Sequence, residues 1–434
     1  MSNFQTILIA IFLSFFVFGV LIFSGLIDIG KTKEKTSLQG KVVVWGTFPS
    51  AVMTDVISNI KSNNQDLNIS YAKKDQATYQ QDLIEAFANG AGPDLFIITP
   101  DMIMKDKNFF YTIPYESYPE KTYRDAFING ADIYLDTEGS LAFPLVVDPM
   151  VLYYNKDILS NEGIVSPPTT WDELFTLNST LTKKENSGTI SQSMIALGQY
   201  ENVNNAKDIL VNLLLQNNNP IIKKNDKGIF TSTLSSNPSN LSVAPAQSVL
   251  TFFNEFSNPS NTAYSWNKSL PGSQDMFTSG KMAFYLGRAS ELFDIESINP
   301  NLSFDVAQVP QIKDTTTKRA YGEIYALAIN KKSANMSTAF NVASSMSLGD
   351  DAKNFATAAS LPPASKVLLA DKPKDPYLFT FFNSALIVRS WVDPDKIKSD
   401  TIFSELVDNI LSNRLSISQA INKAQGQLEI LIKK

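Results

Sequence analysis

The feature that most narrows the fold is an alternation near the start of the chain. VVVW (42–45) reads as a strand, and Pro49 to Ile60 as a helix with Val52, Val56 and Ile60 on one stripe and Ile57 beside them. NISYA (68–72) is a second strand, followed by a helix from Tyr79 to Asn89 whose Tyr79, Leu83, Ile84 and Phe87 share a face. Thr78 and Gln81 have the spacing of a capping box at its start, and Gly90 closes it. DLFII (94–98) completes strand–helix–strand–helix–strand, the pattern of a parallel sheet with right-handed crossovers. Ligands of such sheets bind beyond the carboxyl ends of the strands, here Trp45 to Phe48, Ala72 to Asp75, and Thr99 to Met102.

A second region begins after Asp148. Thr170 and Glu173 have capping-box spacing before a helix with Leu174, Leu177 and Leu181 facing inward. Further helices are expected at about 205–216 and 245–257, and a polar Asn/Ser/Pro loop over 257–273. KMAFYL (281–286) and Phe304 to Val309 read as strands. The last helix follows a Ser416/Gln419 cap and carries Ile417, Ile421, Ala424, Leu428 and Leu431 at helical spacing. A length of 434 residues with 44% hydrophobic content suits about two domains.

The chain has no cysteine and no histidine. That removes disulfides, thiolate and imidazole metal sites, thiol nucleophiles and every acyl-transfer triad with a histidine base. Neither a metal nor another cofactor is expected, and no catalytic motif is present. The net charge of −6, without a long block of one sign, gives no footprint for nucleic acid.

Residues 7–27, ILIAIFLSFFVFGVLIFSGLI, are uncharged throughout. At about 1.5 Å per residue they suffice for a hydrocarbon core of about 30 Å, so residues 1–30 read as a transmembrane anchor, with a cleaved signal peptide as the alternative. Residues 31–40 are a polar linker. Lys31, Lys33 and Lys35 follow the apolar run, and by the positive-inside rule alone they would place the following domain in the cytoplasm.

Several segments together resemble the extracellular solute-binding proteins of the sugar ABC-importer class, the maltodextrin-binding-protein-like solute-binding family 1. The most specific is FPLVVDPMVLYYNKDIL (143–159) followed by PPTTWDEL (167–174). ANGAGPDLFII (88–98), FTSGKMAFYLG (277–287), YGEIYALAINKKS (321–333) and LPPA (361–364) agree in order and spacing. The resemblance spans roughly residues 40–430. It implies an α/β, two-lobed periplasmic-binding-protein-like fold (type II), each lobe a mainly parallel sheet flanked by helices. One lobe would comprise 41–147 and 325–360, the other 150–322 and 365–434. It further implies a monomeric, extracytoplasmic binder, tethered by its N-terminal helix, that closes on a mono- or oligosaccharide and delivers it to ABC permease subunits without chemistry. A peptide, polyamine or phosphorylated polyol ligand, a cleft glycosidase using Asp148 and Glu323, and a surface sensor or adhesin are the alternatives.

A sugar presents hydroxyls and a flat C–H face, so its site calls for carboxylates, amides, guanidinium groups and aromatic platforms. Trp45 and Thr47 end the first strand, Asp75 follows the second and Thr99 the third; Trp45 reads equally as core, and Asp75 and Thr99 as caps or loop residues. Tyr264 and Trp266, in a polar loop, are expected to form an exposed stacking pair. By the resemblance, the lobes are joined by crossovers near Val147 to Met150, Gly322 to Tyr325 and Leu361 to Ala364; Asp148 occupies a polar ligand contact, Glu323 and Tyr325 the second crossover, and Arg389 and Trp391 a late contact segment. Arg288 stands where the family often has an aromatic residue, which favours a hydrogen-bonding role there.

Overall fold

The computed structural model describes residues 39–225, 227–238 and 241–433. The apolar segment 7–27 and linker residues 31–38 lie outside these, and no helix among the described residues is long and apolar enough to cross a membrane.

The expected alternation forms. β1 (Gly40–Gly46) lies between β2 (Leu67–Lys73) and β3 (Leu95–Ile98), all parallel, with α1 (Ser50–Asn63) and α2 (Tyr79–Ala88) as crossovers. The two faces of β1 are unequal: Val42 and Val44 are fully buried, and α1 adds Met53, Val56 and Ile60 to the same core. The capping box expected at Thr78 does not form. Thr78 has near-helical dihedrals (φ −107°, ψ −7°), which turn its hydroxyl away from the free N–H groups, and Gln81 reaches forward to Glu85 at 2.7 Å. The box expected at Thr170 is half made: Glu173 accepts the Thr170 N–H and hydroxyl, both at 2.9 Å, but the helix begins at Glu173 itself (Glu173–Leu181). At Ser416 and Gln419 the reciprocal box is complete.

Beyond β3 the sheet differs from expectation. β4 (Phe143–Asn155) is a long strand that is buried almost throughout, and β5 (Ile190–Ile195), β6 (Met282–Arg288) and β7 (Phe304–Gln308) belong to its second half. β8 (Ala320–Ile329) runs antiparallel to both β3 and the first half of β4, and β9 (Val388–Arg389) pairs with the start of β8. Ten of the described strands, the short Lys183–Lys184 strand beside β5 among them, therefore join into one mixed sheet, in place of two mainly parallel ones, and four others form two separate two-stranded sheets. The physical reason is that β4 passes through the junction without turning back, so β6 and β7 pair antiparallel along its second half. A continuous apolar run signals a buried strand but not its direction. The halves of the sheet on either side of this junction, each covered by its own helices, are the two lobes of a mixed α/β fold.

The junction itself is tightly constrained. Pro149, which has no N–H to donate, stands where β4 exchanges β8 for β6: it pairs with Gly322, and its neighbour Met150 pairs with Arg288. A Cβ on Gly322 would lie 3.1 Å from the Asp148 carbonyl oxygen and 2.9 Å from Val388 Cγ2, so any side chain there would force the strands apart. The segment 361–364 runs beside β4, with Val147 N–H donating to Pro362 O and Ala364 N–H to Leu145 O, each at 2.9 Å. Tyr134, fully buried, donates its hydroxyl to Ile324 O at 2.5 Å, and the same oxygen lies 3.5 Å from Ile98 O, so one side chain ties the end of β3 to the middle of β8.

Removing that hydroxyl leaves a buried carbonyl without its donor, so Tyr134→Phe is expected to destabilise the fold by about 1–3 kcal/mol. Urea unfolding followed by tryptophan fluorescence checks this; an unchanged midpoint would show that Ile324 O is satisfied in some other way.

Candidate functional site

Five segments converge where β3 and β8 end beside the junction. Pro100 and Asp101 follow β3, Arg288 ends β6, Tyr321 and Glu323 lie on β8, α3 (Ala206–Gln216) contributes Lys207 and Asp208, and the segment 390–396 contributes Trp391, Asp393 and Lys396. Together they line a cavity of about 130 Å³. Lys207, Asp208 and Arg288 also line a wider opening of about 500 Å³, walled further by Tyr200, Glu201, Asp400 and Ser404.

The chemistry of the cavity is a connected set of buried charges. Arg288 donates Nε and Nη2 to one oxygen of Asp208 (2.8 and 2.5 Å) and Nη1 to Glu323 Oε2 (2.8 Å). Lys396 donates to Glu323 Oε1 at 2.5 Å and lies 3.3 Å from Asp101. Lys207 donates to Asp393 at 2.9 Å, and Ser399 also donates to that carboxylate. Burial alone would raise Glu323, but Lys396 and Arg288 outweigh it and hold the carboxyl below the usual carboxylate range. Burial would lower Arg288, and Asp208 and Glu323 reverse that, keeping the guanidinium charged. For Asp393 burial prevails over Lys207, and its carboxyl is raised.

The sequence candidates fall into three groups. Arg288, Glu323 and Trp391 line the cavity; Trp391 is buried and meets Phe403 edge to face. Tyr325, Asp148 and Thr99 are one residue away from it. The Tyr325 hydroxyl lies 3.5 Å from Glu323 Oε2, Asp148 is the cross-strand partner of Glu323, and Thr99 donates to Asp101 at 2.5 Å. Asp148 is 1% exposed, and both its oxygens are taken by Ser290, one by its N–H (2.9 Å) and one by its hydroxyl (2.7 Å). It contacts protein, fixing the turn after β6.

The rest stand apart. Trp45, Thr47 and Asp75 share the rim formed by the ends of β1 and β2; the Lys74 ammonium sits 3.7 Å over the Trp45 ring, and Asp75 closes a turn by accepting the Ala77 N–H at 2.8 Å. Arg389 donates to the carbonyl of Val388. The exposed stacking pair expected at Tyr264 and Trp266 is not formed. Trp266 is fully buried, with its indole N–H donated to Asn202 at 3.1 Å, while Tyr264 is half-buried, accepts from Asn267 and carries the Lys184 ammonium over its ring. The loop around Trp266 is polar because it surrounds an apolar plug, an arrangement that neither helical nor strand periodicity reveals.

Sequence reasoning missed Asp101, Lys207, Asp208, Asp393 and Lys396. One signal was available for Asp208: it stands in a helix whose other residues are buried on nearly all sides, and a carboxylate in such a setting must be paired. Asp393 and Lys396 lie just beyond the candidate Trp391 in WVDPDK.

Burial pushes the Asp148 carboxyl up to about 6, against the opposing pull of Arg288 and Ser290. The folded state then holds a proton that the unfolded chain releases near pH 4, so stability falls as pH rises from about 4 to about 6 and is flat above. Asp148→Asn keeps the shape without the charge. It is expected to match the parent near pH 4 and to exceed it at pH 8 by roughly 2–3 kcal/mol. Chemical unfolding across that range decides, and a variant weaker at pH 8 would sink this account.

Residues 49–359 match the model of the bacterial extracellular solute-binding proteins. Among solved structures, the chain superposes on a cyclo/maltodextrin-binding protein complexed with maltotetraose (TM-score 0.73, 16% identity, 91% of this chain and 97% of that one). It also superposes on the sugar-binding protein MalE from Xanthomonas citri (TM-score 0.72, 15% identity, 91% and 98%). A third is a Listeria monocytogenes ABC substrate-binding protein in complex with cycloalternan (TM-score 0.66, 17% identity, 91% and 99%). At these identities the superpositions speak to the fold, while the family match covers most of the chain and the segments that build the cavity up to Glu323. The chain belongs to the bacterial extracellular solute-binding protein family.

Proposed function

We propose that this protein captures a mono- or oligosaccharide in the cleft between its lobes and presents the closed form to an ABC-type importer, without altering the ligand. The observation that carries the reading is the charged cavity at the junction. It offers fixed donors (Arg288, Lys207, Lys396), fixed acceptors (Asp101, Asp208, Glu323) and one aromatic wall (Trp391), the combination that sugar hydroxyls and a C–H face require. The sugar ligands named for the structural neighbours support the same class.

The lobes of this mechanism are 41–147 with 325–360 and 150–322 with 365–434. The partner exchange of β4 at Pro149 and the passage of 361–364 alongside it support hinges at those places. Closure is then a rotation absorbed by the crossovers at 147–150, 322–325 and 361–364, and the ligand favours the closed state by its differential affinity. Ion pairs already link the lobes: Lys105 to Asp395 (2.7 Å), Lys224 to Asp136 (2.5 Å) and Lys396 to Asp101. Residues 7–27 serve as a single-pass anchor of a monomeric, extracytoplasmic domain.

A glycosidase reading fits the geometry less well. Asp148 and Glu323 are cross-strand neighbours, both buried, with all four carboxylate oxygens engaged by Ser290, Arg288 and Lys396. Two carboxyl groups that flank a glycosidic bond must instead face each other across it.

The test is a thermal-shift and calorimetry panel of sugars, peptides, polyamines and phosphorylated polyols. A cognate sugar at 100 times its Kd is expected to stabilise the protein by about 2.7 kcal/mol. A shift confined to another ligand class would overturn the sugar assignment, and sustained release of products would overturn the binding-only reading. Arg288→Lys keeps the charge but cannot bridge Asp208 and Glu323. It is expected to weaken the cognate sugar by about tenfold or more, and an unchanged Kd would remove Arg288 from the site.

A further inference from the structure

The charged cavity and the wider opening of about 500 Å³ beside it differ in how their charges are matched. The opening is walled by the loop before α3, by α3 itself and by α4 (Lys396–Leu411), which carries Asp400 and Ser404. Three cations line the two spaces, Lys207, Arg288 and Lys396. All three are already committed to carboxylates of the protein: Lys207 to Asp393, Arg288 to Asp208 and Glu323, and Lys396 to Glu323 and Asp101.

The carboxylates are not matched in the same way. Asp208 offers only Oδ2 to Arg288; its Oδ1 accepts from no described residue and is not closed off from solvent. Asp208 is only 5% exposed and lines both spaces, so the open oxygen faces them. At the mouth, Glu201 and Asp400 are exposed, and neither is ion-paired to a described residue. One oxygen of Asp400 accepts the hydroxyl of Tyr200 at 2.6 Å. Burial and Asp400, with Asp208 and Asp393 behind it, hold that hydroxyl above its ordinary range, so negative charge converges on one aromatic residue. Carboxylates without a cation beside an aromatic ring suit a positively charged group. An anionic ligand would find every lining cation taken and would meet like charge.

We propose that the saccharide taken by this cleft carries a protonated amine, received in the opening by the carboxylates of Asp208, Glu201 and Asp400 beside the Tyr200 ring. This rests on the sugar reading of the charged cavity and narrows it to amino sugars. The rest of the ligand is still a sugar, because a linear polyamine has neither the acceptors that Arg288, Lys207 and Lys396 could donate to nor a flat C–H face for Trp391.

The experiment is isothermal titration calorimetry of the full-length chain at low ionic strength with matched ligands. Glucosamine, galactosamine and the glucosamine trisaccharide of chitosan are compared with glucose, galactose and cellotriose, with glucuronate and galacturonate as anionic counterparts and spermidine as the amine without a sugar. An amino sugar is expected to bind at least about tenfold tighter than its neutral counterpart, with the uronates weakest, and added salt should shrink the preference. In the double variant Glu201→Gln/Asp400→Asn, which keeps an acceptor for Tyr200, the amino sugar should lose more affinity than the neutral one, so that their ratio falls toward one. A neutral sugar bound as tightly as its amine, a uronate bound tighter than either, or a ratio unchanged in the double variant would each overturn the proposal and leave a sugar binder standing. Heat from none of the sugars, or from spermidine alone, would overturn it together with the sugar reading.

Discussion

The structure depends on one strand whose two halves have different partners. β4 is buried along nearly all of its 13 residues, and it pairs with β8 before Pro149 and with β6 and β7 after it. A strand buried this deeply must satisfy its backbone groups within the protein, here through β8, β6, β7 and the segment 361–364, because each unpaired N–H or C=O away from water costs about as much as a lost hydrogen bond. The exchange at Pro149 eases that demand, since proline has no N–H to leave unpaired at the changeover. Everything functional is referred to this point: Asp148 precedes it, Glu323 is opposite Asp148, and Arg288 begins the new pairing.

The charged cavity follows from the same geometry. Residues that end strands at a junction point into the space between the lobes, and a charge placed there is largely withdrawn from water. Such groups are tolerable only when paired, and breaking one buried pair typically costs about 3–5 kcal/mol. Glu323 meets this condition twice, through Arg288 and Lys396, which is why its carboxyl is held low despite complete burial. Asp148 meets it only through Ser290, with Arg288 a more distant influence, and burial prevails. Two carboxylates side by side on adjacent strands thus hold opposite protonation preferences, and the difference lies in which cation each can reach.

How much of this was legible in the sequence depended on the range of the interaction. The first five elements were readable because their signals are local: apolar periodicity of helix and strand, bounded by turn residues. The Ser416 box was readable for the same reason, whereas the identical spacing at Thr78 failed because capping needs an extended backbone at that residue, which spacing does not encode. Strand direction in the second lobe, the burial of Trp266 and the roles of Asp208, Asp393 and Lys396 are long-range. Arg288 and Asp208 are 80 residues apart, and Lys396 and Glu323 are 73 apart. No local pattern joins them. Arg288 was noticed only because it departs from what the family resemblance leads one to expect, and that departure has a structural meaning: the arginine bridges two carboxylates from different elements.

The balance of forces between the lobes bears on how the proposed closure would work. The Lys105–Asp395 pair has an exposed lysine, and surface pairs of that kind contribute about 0–1 kcal/mol each and weaken with salt. They give a shallow bias rather than a lock. The Lys396 contacts are different, because this one ammonium touches Asp101 from the end of β3 and Glu323 on β8 while its own chain belongs to the 390–396 segment. Opening the cleft would separate Lys396 from Asp101 but leave it on Glu323, so the cation would keep its main partner and only one carboxylate would return to water. A hydroxylated ligand entering the opened cleft could donate to that freed Asp101. Such a bond favours closure only if it persists when Lys396 returns to Asp101, through a lone pair that the ammonium leaves free, because a ligand shifts the equilibrium only by its differential contact with the two states.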